Sequence, residues 1–186
     1  MRWIFFIILT FAAVLIQISV GGLLRFRGFG VGSIGPDLLA MIAVFLAMYV
    51  RSGADAMLAA WVLGLAIDLT AAGGPGGETA LGPMPLAYAA AAAAIYHMRG
   101  AFFRERILAQ MFLAFSFCIL AHGLWVTLQA VLAYRYVTWA AYGQVLLQAL
   151  ALSIYTAVLM PLGHMALSRV QGLFMAASGR GRRVPG

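Results

Sequence analysis

The chain alternates long apolar stretches with short clusters of charged residues, glycine and proline. Backbone N–H and C=O groups in hydrocarbon have no water to bond, so an apolar stretch that enters a membrane must be helical. Six such helices are predicted, over about 3–24, 34–50, 54–72, 80–98, 107–133 and 139–168. The second stretch is short. From Pro36 to Val50 it would measure only about 22 Å as a helix, so it crosses a layer of about 30 Å only if residues 31–35 add depth.

This pattern is typical of a protein dissolved in lipid. Of the 186 residues, 65% are hydrophobic and 9% are charged, and the mean hydropathy is +0.99. A soluble protein of this length needs polar side chains over most of its surface, which this composition cannot supply. Residues 1–170 are therefore expected to form one all-α transmembrane domain, and the basic segment 171–186 a disordered tail. Arg2 precedes about 33 Å of uncharged helix, which favours an uncleaved first span over a signal peptide.

Arginine predicts the orientation. All 12 cationic side chains are arginine, and the net charge is +7. In a soluble protein this charge would suggest nucleic-acid binding, but here the arginines lie at the ends of spans and in the tail. Membrane proteins keep such residues on the cytoplasmic side. With both termini inside, nine arginines are cytoplasmic and three, Arg25, Arg27 and Arg135, are outside. A re-entrant second stretch would leave five spans, an outer N-terminus and a ten-to-two split; the six-span arrangement is kept because that stretch is strongly apolar.

Few residues inside the predicted spans can carry chemistry. The sequence has no metalloprotease, nucleophile-elbow or phosphate-loop motif, and its His, Cys and carboxylate residues do not cluster at metal-ligand spacing. His122 lies well inside a span, where an interhelical hydrogen bond is the simpler role and a ligand or catalytic role the alternative. Cys118 is predicted to be a packing residue. No catalytic residue, cofactor or metal site is predicted.

Amides and small residues inside the spans indicate contacts between helices. Gln144 and Gln148 lie four residues apart on one face of the sixth span, where they can bond a neighbouring helix or line a small-molecule cavity. The fourth span contains LAYAAAAAAIYHM, which presents alanine on every face and lets another helix approach closely. That helix can belong to the same chain or to another membrane protein.

Two carboxylates lie near the outer ends of predicted spans. Asp37 follows Pro36 at the start of the second span, where proline suits the first helical turn and a carboxylate meets the favourable end of the helix dipole, so a structural cap is expected. Asp68 lies in the last turn of the third span, about 6 Å from its end, where the dipole disfavours a negative charge. It therefore needs a donor. That donor is predicted to be one of three arginines on the same side: Arg25, Arg27 and Arg135.

These motifs resemble those of the bacterial rod shape-determining protein MreD family. The resemblance rests on Gln17, on PDLLAMIAVFLAMYVRSG (36–53), on GLAIDL (64–69) and on LGPMPLAY (81–88) followed by a basic loop at Arg99. It extends over nearly the whole chain in length, span number and loop placement. It implies a fold similar to that of the substrate-binding subunit of energy-coupling-factor transporters. The structural and interaction residues of that fold would be Gln17, Pro36, Asp37, Gly64, Asp68, Gly82 and Tyr88, with the three outer arginines.

The resemblance implies a non-enzymatic subunit of the cell-elongation machinery in the bacterial cytoplasmic membrane. Its expected partners are an MreC-like bitopic protein, a RodA-like polymerase, a class B penicillin-binding transpeptidase and MreB. Contacts with them are expected through small-residue faces and outer loops.

The sequence also bears on two other classes of membrane protein. A vitamin-binding subunit of an energy-coupling-factor transporter would need a polar and aromatic pocket, which five residues could furnish: Trp125, Gln129, Tyr134, Tyr136 and Gln144. A small membrane enzyme is disfavoured, because Asp68, Glu78 and His122 do not form a spacing that a known chemistry needs.

Overall fold

The computed structural model describes residues 3–19, 26–27, 33–71, 82–101, 106–132 and 138–174. Within these ranges the chain forms six α-helices: α1 (Trp3–Ser19), α2 (Leu38–Tyr49), α3 (Gly53–Ala71), α4 (Pro83–Met98), α5 (Ile107–Leu132) and α6 (Trp139–Phe174). A 3-10 turn, Arg99–Ala101, follows α4. Each predicted span coincides with one of these helices, although α3 begins one residue before the expected start at 54 and α6 continues six residues beyond the expected end at 168. The sequence did not indicate the short antiparallel pair of β1 (Phe26–Arg27) and β2 (Ser33–Ile34).

Among the described residues, three helices are long and apolar enough to cross a bilayer: α3, over Gly53–Thr70, α5, over Ile107–Leu132, and α6, over Trp139–Gly172. α1 and α2 are apolar but shorter. The chain is therefore an all-α, multi-pass membrane protein. Large apolar side chains, such as those of Phe11 and Leu108, are exposed on the outside of the bundle, as expected of a surface that lipid covers.

Successive helices run in opposite directions. Residues 50–52 alone join α2 to α3, and Gln17, late in α1, contacts the start of α2. Arg99, after α4, contacts the end of α2, and Tyr49 at that same end bonds His164 late in α6. The ends of α2, α4 and α6 therefore lie together with the starts of α1, α3 and α5.

Charge distinguishes the two ends of the bundle. One end carries the described arginines that follow α2, follow α4, precede α5 and close α6, and we call it the basic end. They are Arg51, Arg99, Arg106 and Arg169. The opposite end carries Asp68 and Gly82, and we call it the Asp68 end.

α2 is enclosed by the rest of the chain. Its residues 39–48 are all buried, and it contacts each of the other five α-helices. A helix that is apolar on every face is expected in such a position. Its 12 residues measure about 18 Å, little more than half of the hydrocarbon layer of about 30 Å. At least one end of α2 must therefore find its hydrogen-bond partners inside the protein.

The alanine-rich face of α4 packs within the chain. Ala87, Ala91 and Ala92 are buried, and α3 and α5 are the main neighbours of α4. Helices of the same chain therefore cover these three alanines, and contact of α4 with another protein stays a prediction.

Candidate functional site

The start of α2 lies inside the bundle, where five side chains from different segments meet. The first N–H groups of a helix have no intrahelical acceptor, and each one left unsatisfied in hydrocarbon costs several kcal/mol. Polar side chains are therefore required at this depth. We call the following five residues the α2 polar cluster: Gln17 of α1, Asp37 before α2, Tyr88 of α4, His122 of α5 and Thr156 of α6.

Asp37 is the N-cap residue of α2, in agreement with the cap expected from the sequence. Its Oδ1 accepts a hydrogen bond from the Ala40 N–H at 2.9 Å, and its own N–H donates to Thr156 Oγ1 at 3.1 Å. The carboxylate also lies at the positive end of the helix dipole. Pro36 is buried and precedes the cap, so it lies outside the first helical turn in which it was expected. Proline does occupy that position in α4, at Pro83.

Gln17 supplies the acceptor for the next two N–H groups of α2. Its Oε1 lies 3.0 Å from the Leu38 nitrogen and 3.3 Å from the Leu39 nitrogen. Together with Asp37 and Thr156, it satisfies the backbone donors at residues 37–40. Three polar side chains thus fix the start of α2 to α1 and α6.

The second oxygen of Asp37 connects α2 to α4 and α5. Tyr88 is fully buried, packs edge-to-face against Phe117 and donates its hydroxyl to Asp37 Oδ2 at 2.5 Å. His122 Nε2 lies 3.3 Å from the same oxygen. That separation is within ion-pair range, but Nε2 makes no aligned hydrogen bond within the described residues. The sequence led us to expect an interhelical hydrogen bond from His122. In the structure, His122 makes a close interhelical contact with Asp37.

The α2 polar cluster lies about half a hydrocarbon thickness from the end of α5. His122 precedes the end of α5 at Leu132 by ten residues, or about 15 Å, which is half of a hydrocarbon layer of about 30 Å. The position of Asp37 at the outer start of the second span stays a prediction. Ionisable groups at this depth are rare and face the protein interior, as Asp37 and His122 do.

Asp68 caps the helix that follows it in the chain. Its Oδ2 accepts hydrogen bonds from the backbone N–H groups of Gly82 at 2.8 Å and Met84 at 3.3 Å. A carboxylate at the unfavourable end of α3 therefore lies at the favourable end of α4. Gly82 has φ +113°, a left-handed conformation that glycine adopts without the steric strain of a side chain.

The arginine partner predicted for Asp68 stays a prediction. The donors found are backbone amides. Arg25 and Arg135 lie outside the described residues, and Arg27 is described only in its backbone.

Gly64 allows the contact between α3 and α4 on which this cap depends. A Cβ added there would lie 2.7 Å from Met84 O and 2.8 Å from Pro85 Cα. Gly64 and Asp68 are four residues apart and share one face of α3. The motifs GLAIDL and LGPMPLAY, which are separate in sequence, thus form a single helix–helix contact.

Arg99 caps α2 at the basic end. Its Nη1 donates to Val50 O at 2.5 Å and to Ala47 O at 3.1 Å, and its guanidinium lies 3.8 Å from the centre of the Tyr96 ring. A cation at the negative end of a helix dipole is favourable.

From the sequence, Arg99 was identified only as part of a basic loop, and Thr156 was not identified. The available signal for Thr156 was a hydroxyl within a long apolar helix.

A cavity of about 250 Å³ lies between α5 and α6, beside the α2 polar cluster. Its lining residues are His122, Trp125, Val126, Val145, Gln148, Ala149 and Leu152. Trp125, expected in a pocket, and Gln148, considered as a polar lining, are among them, whereas Gln129 and Gln144 are not. Tyr134 and Tyr136 lie outside the described residues.

Comparison of the chain with protein-family models, curated proteins and solved structures finds no match. Among the described residues, no group of three or more His, Cys, Asp or Glu side chains is placed to hold a metal ion.

Proposed function

We propose that the chain is a non-enzymatic membrane subunit of the bacterial cell-elongation machinery, similar to MreD. It would lie in the cytoplasmic membrane with both termini inside. There it would scaffold or regulate peptidoglycan synthesis through contacts with an MreC-like bitopic protein, a RodA-like polymerase and a class B penicillin-binding transpeptidase, with MreB as a further partner.

The main support for this proposal is that the polar groups of the motif residues bond other residues of the same chain. Asp37 and Tyr88 bond each other, Gln17 bonds the start of α2, and Asp68 bonds the start of α4. These groups stabilise the shape of the bundle, which is what a docking scaffold requires. Substrate chemistry would instead need polar groups that can exchange bonds with a substrate.

The distribution of described arginines supports the proposed orientation. Four of the five belong to the basic end and the fifth, Arg27, lies in β1 between α1 and α2; membrane proteins keep most such residues in the cytoplasm. A cytoplasmic basic end places the starts of α1, α3 and α5 inside. The Asp68 end would then face the periplasm, where an MreC-like protein is expected to bind.

Co-purification from the native host tests this function. The tagged full chain, extracted in mild detergent, should retain a bitopic coiled-coil protein and a polymerase, and its depletion should convert rods into round cells. A copy with Asp68→Asn, which keeps an acceptor for the α4 cap, should restore the rod shape. Unchanged cell shape on depletion would contradict the proposal.

A vitamin-transporter subunit is the second candidate, and the cavity beside Trp125 favours it. The same purification discriminates between the two. Retention of an ATPase module together with a bound vitamin, detected by mass spectrometry, would replace the scaffold with the transporter.

A further inference from the structure

The cavity between α5 and α6 has the features of a built ligand site. His122, only 8% exposed, forms part of its wall, and its Nε2 lies 3.3 Å from Asp37 Oδ2 in the α2 polar cluster. A buried polar side chain in the wall of a mostly apolar cavity is the kind of group that orients a bound molecule.

We propose that this cavity binds a small, planar, uncharged heteroaromatic molecule. Trp125 offers an aromatic face for stacking, and Val145, Ala149 and Leu152 provide apolar walls. Gln148 and His122 contribute polar groups that can recognise a nitrogen-bearing edge. The combination of apolar walls with a few polar groups is the usual composition of a small-molecule pocket.

Size and charge narrow the class of ligand. The volume of about 250 Å³ lies just below the usual range, which begins near 300 Å³, so one or two fused rings fit. The described lining holds no arginine, and the nearby carboxylate of Asp37 would repel an anion. A cation would have to leave water for a mostly apolar cavity, which is costly.

The ligand site does not rest on the proposed function. A scaffold with such a site would be one whose packing around α2 responds to a metabolite, because His122 belongs both to the cavity and to the α2 polar cluster. Failure of ligand binding would leave co-purification with elongation proteins untouched, and failure of co-purification would leave ligand binding untouched.

Benzimidazole and indane are suitable probes, because they share a fused-ring shape and only benzimidazole has nitrogen atoms on its edge. The full chain in detergent, with Trp3, Trp61 and Trp139 replaced by Phe, reports binding through the fluorescence of Trp125. Gln148→Leu removes the amide at the cavity. Gln144→Leu is the matched control, because Gln144 is exposed on the same helix one turn earlier.

We expect benzimidazole to change Trp125 fluorescence saturably, with indane binding about tenfold more weakly. Gln148→Leu should weaken benzimidazole about tenfold and Gln144→Leu should leave it unchanged. Ala149→Phe, which fills the cavity, should abolish the saturable response. Equal affinities for the two probes, an unsaturable response that reflects partition into detergent, or saturable binding to a folded Ala149→Phe variant would overturn the proposal. If Ala149→Phe does not fold, the proposal is tested by the affinity difference between the two probes and by the comparison of Gln148→Leu with Gln144→Leu.

Discussion

Asp68 lies at the C-terminal end of α3, where the dipole of its own helix is unfavourable, but it accepts two hydrogen bonds from the start of α4. The sequence indicated that this carboxylate needs a donor. It could not indicate which one, because a backbone N–H has no side-chain signature and its position depends on how α4 packs. The left-handed Gly82 and the close approach at Gly64 are the two features that bring the donors into range.

Substitution of Asp68 separates the backbone cap from an arginine pair. Asp68→Ala removes the acceptor of both N–H groups and should lower the free energy of unfolding by about 1–2 kcal/mol, the usual cost of a lost N-cap. Asp68→Asn keeps an acceptor oxygen and should lose less than half of that. Equilibrium unfolding of the full chain in mixed micelles measures both. If pairing with an arginine dominated, the two variants would be equally unstable, since both lose the charge.

Thr156 provides a second test at the scale of one residue. Thr156→Val keeps the shape of the side chain but leaves the buried Asp37 N–H without its acceptor, which should cost about 1–3 kcal/mol. Thr70→Val is the control. The Thr70 hydroxyl is exposed, and among the described residues it bonds only carbonyls of its own helix, so its loss should be nearly neutral in the same unfolding measurement. Similar losses in both variants would show that the bond to Asp37 has no particular importance.

At the scale of the elements, the short second stretch is the instructive case. The sequence showed a strongly apolar stretch whose length left open whether it crosses the membrane completely. What the sequence could not show was the depth at which α2 begins. That depth depends on which residues of α5 and α6 meet Asp37, and hydrophobic periodicity along one helix does not specify its register against another. His122 and Thr156 were therefore not identified as members of one site.

The close packing of α3 against α4 leads to a prediction about glycine. Gly64→Ala should lower the free energy of unfolding by about 1–3 kcal/mol, because the new Cβ meets backbone atoms of Met84 and Pro85, which cannot rotate away. Gly123→Ala, in the middle of α5 with nothing within 4 Å of the added Cβ, should instead be neutral or stabilising by up to about 1 kcal/mol. A neutral result for both would mean that α3 and α4 separate at little cost.

On the scale of the whole molecule, the bundle is organised around a helix too short to cross the membrane alone. α1, α4 and α6 contribute side chains that satisfy the two ends of α2, so its position depends on all of them. The sequence predicted the number of helices well, because each apolar stretch had clear charged or glycine-rich limits. It left the parity of the spans open. In the structure, α2 runs from the α2 polar cluster to the basic end, and the six-span topology stays a prediction.

Cysteine labelling tests this arrangement. Cys118 is fully buried, so the parent chain should react poorly with a membrane-impermeant maleimide. In intact cells, cysteines at Ser33 and Thr138 should be labelled, because both precede helices that start away from the basic end. A cysteine at Ser52, in the exposed turn between α2 and α3, should react only after the cells are opened. Labelling at Thr138 but not at Ser33 in intact cells would indicate a re-entrant second stretch and an outer N-terminus. Labelling of Ser52 alone would reverse the whole orientation, and with it the assignment of the Asp68 end to the periplasm.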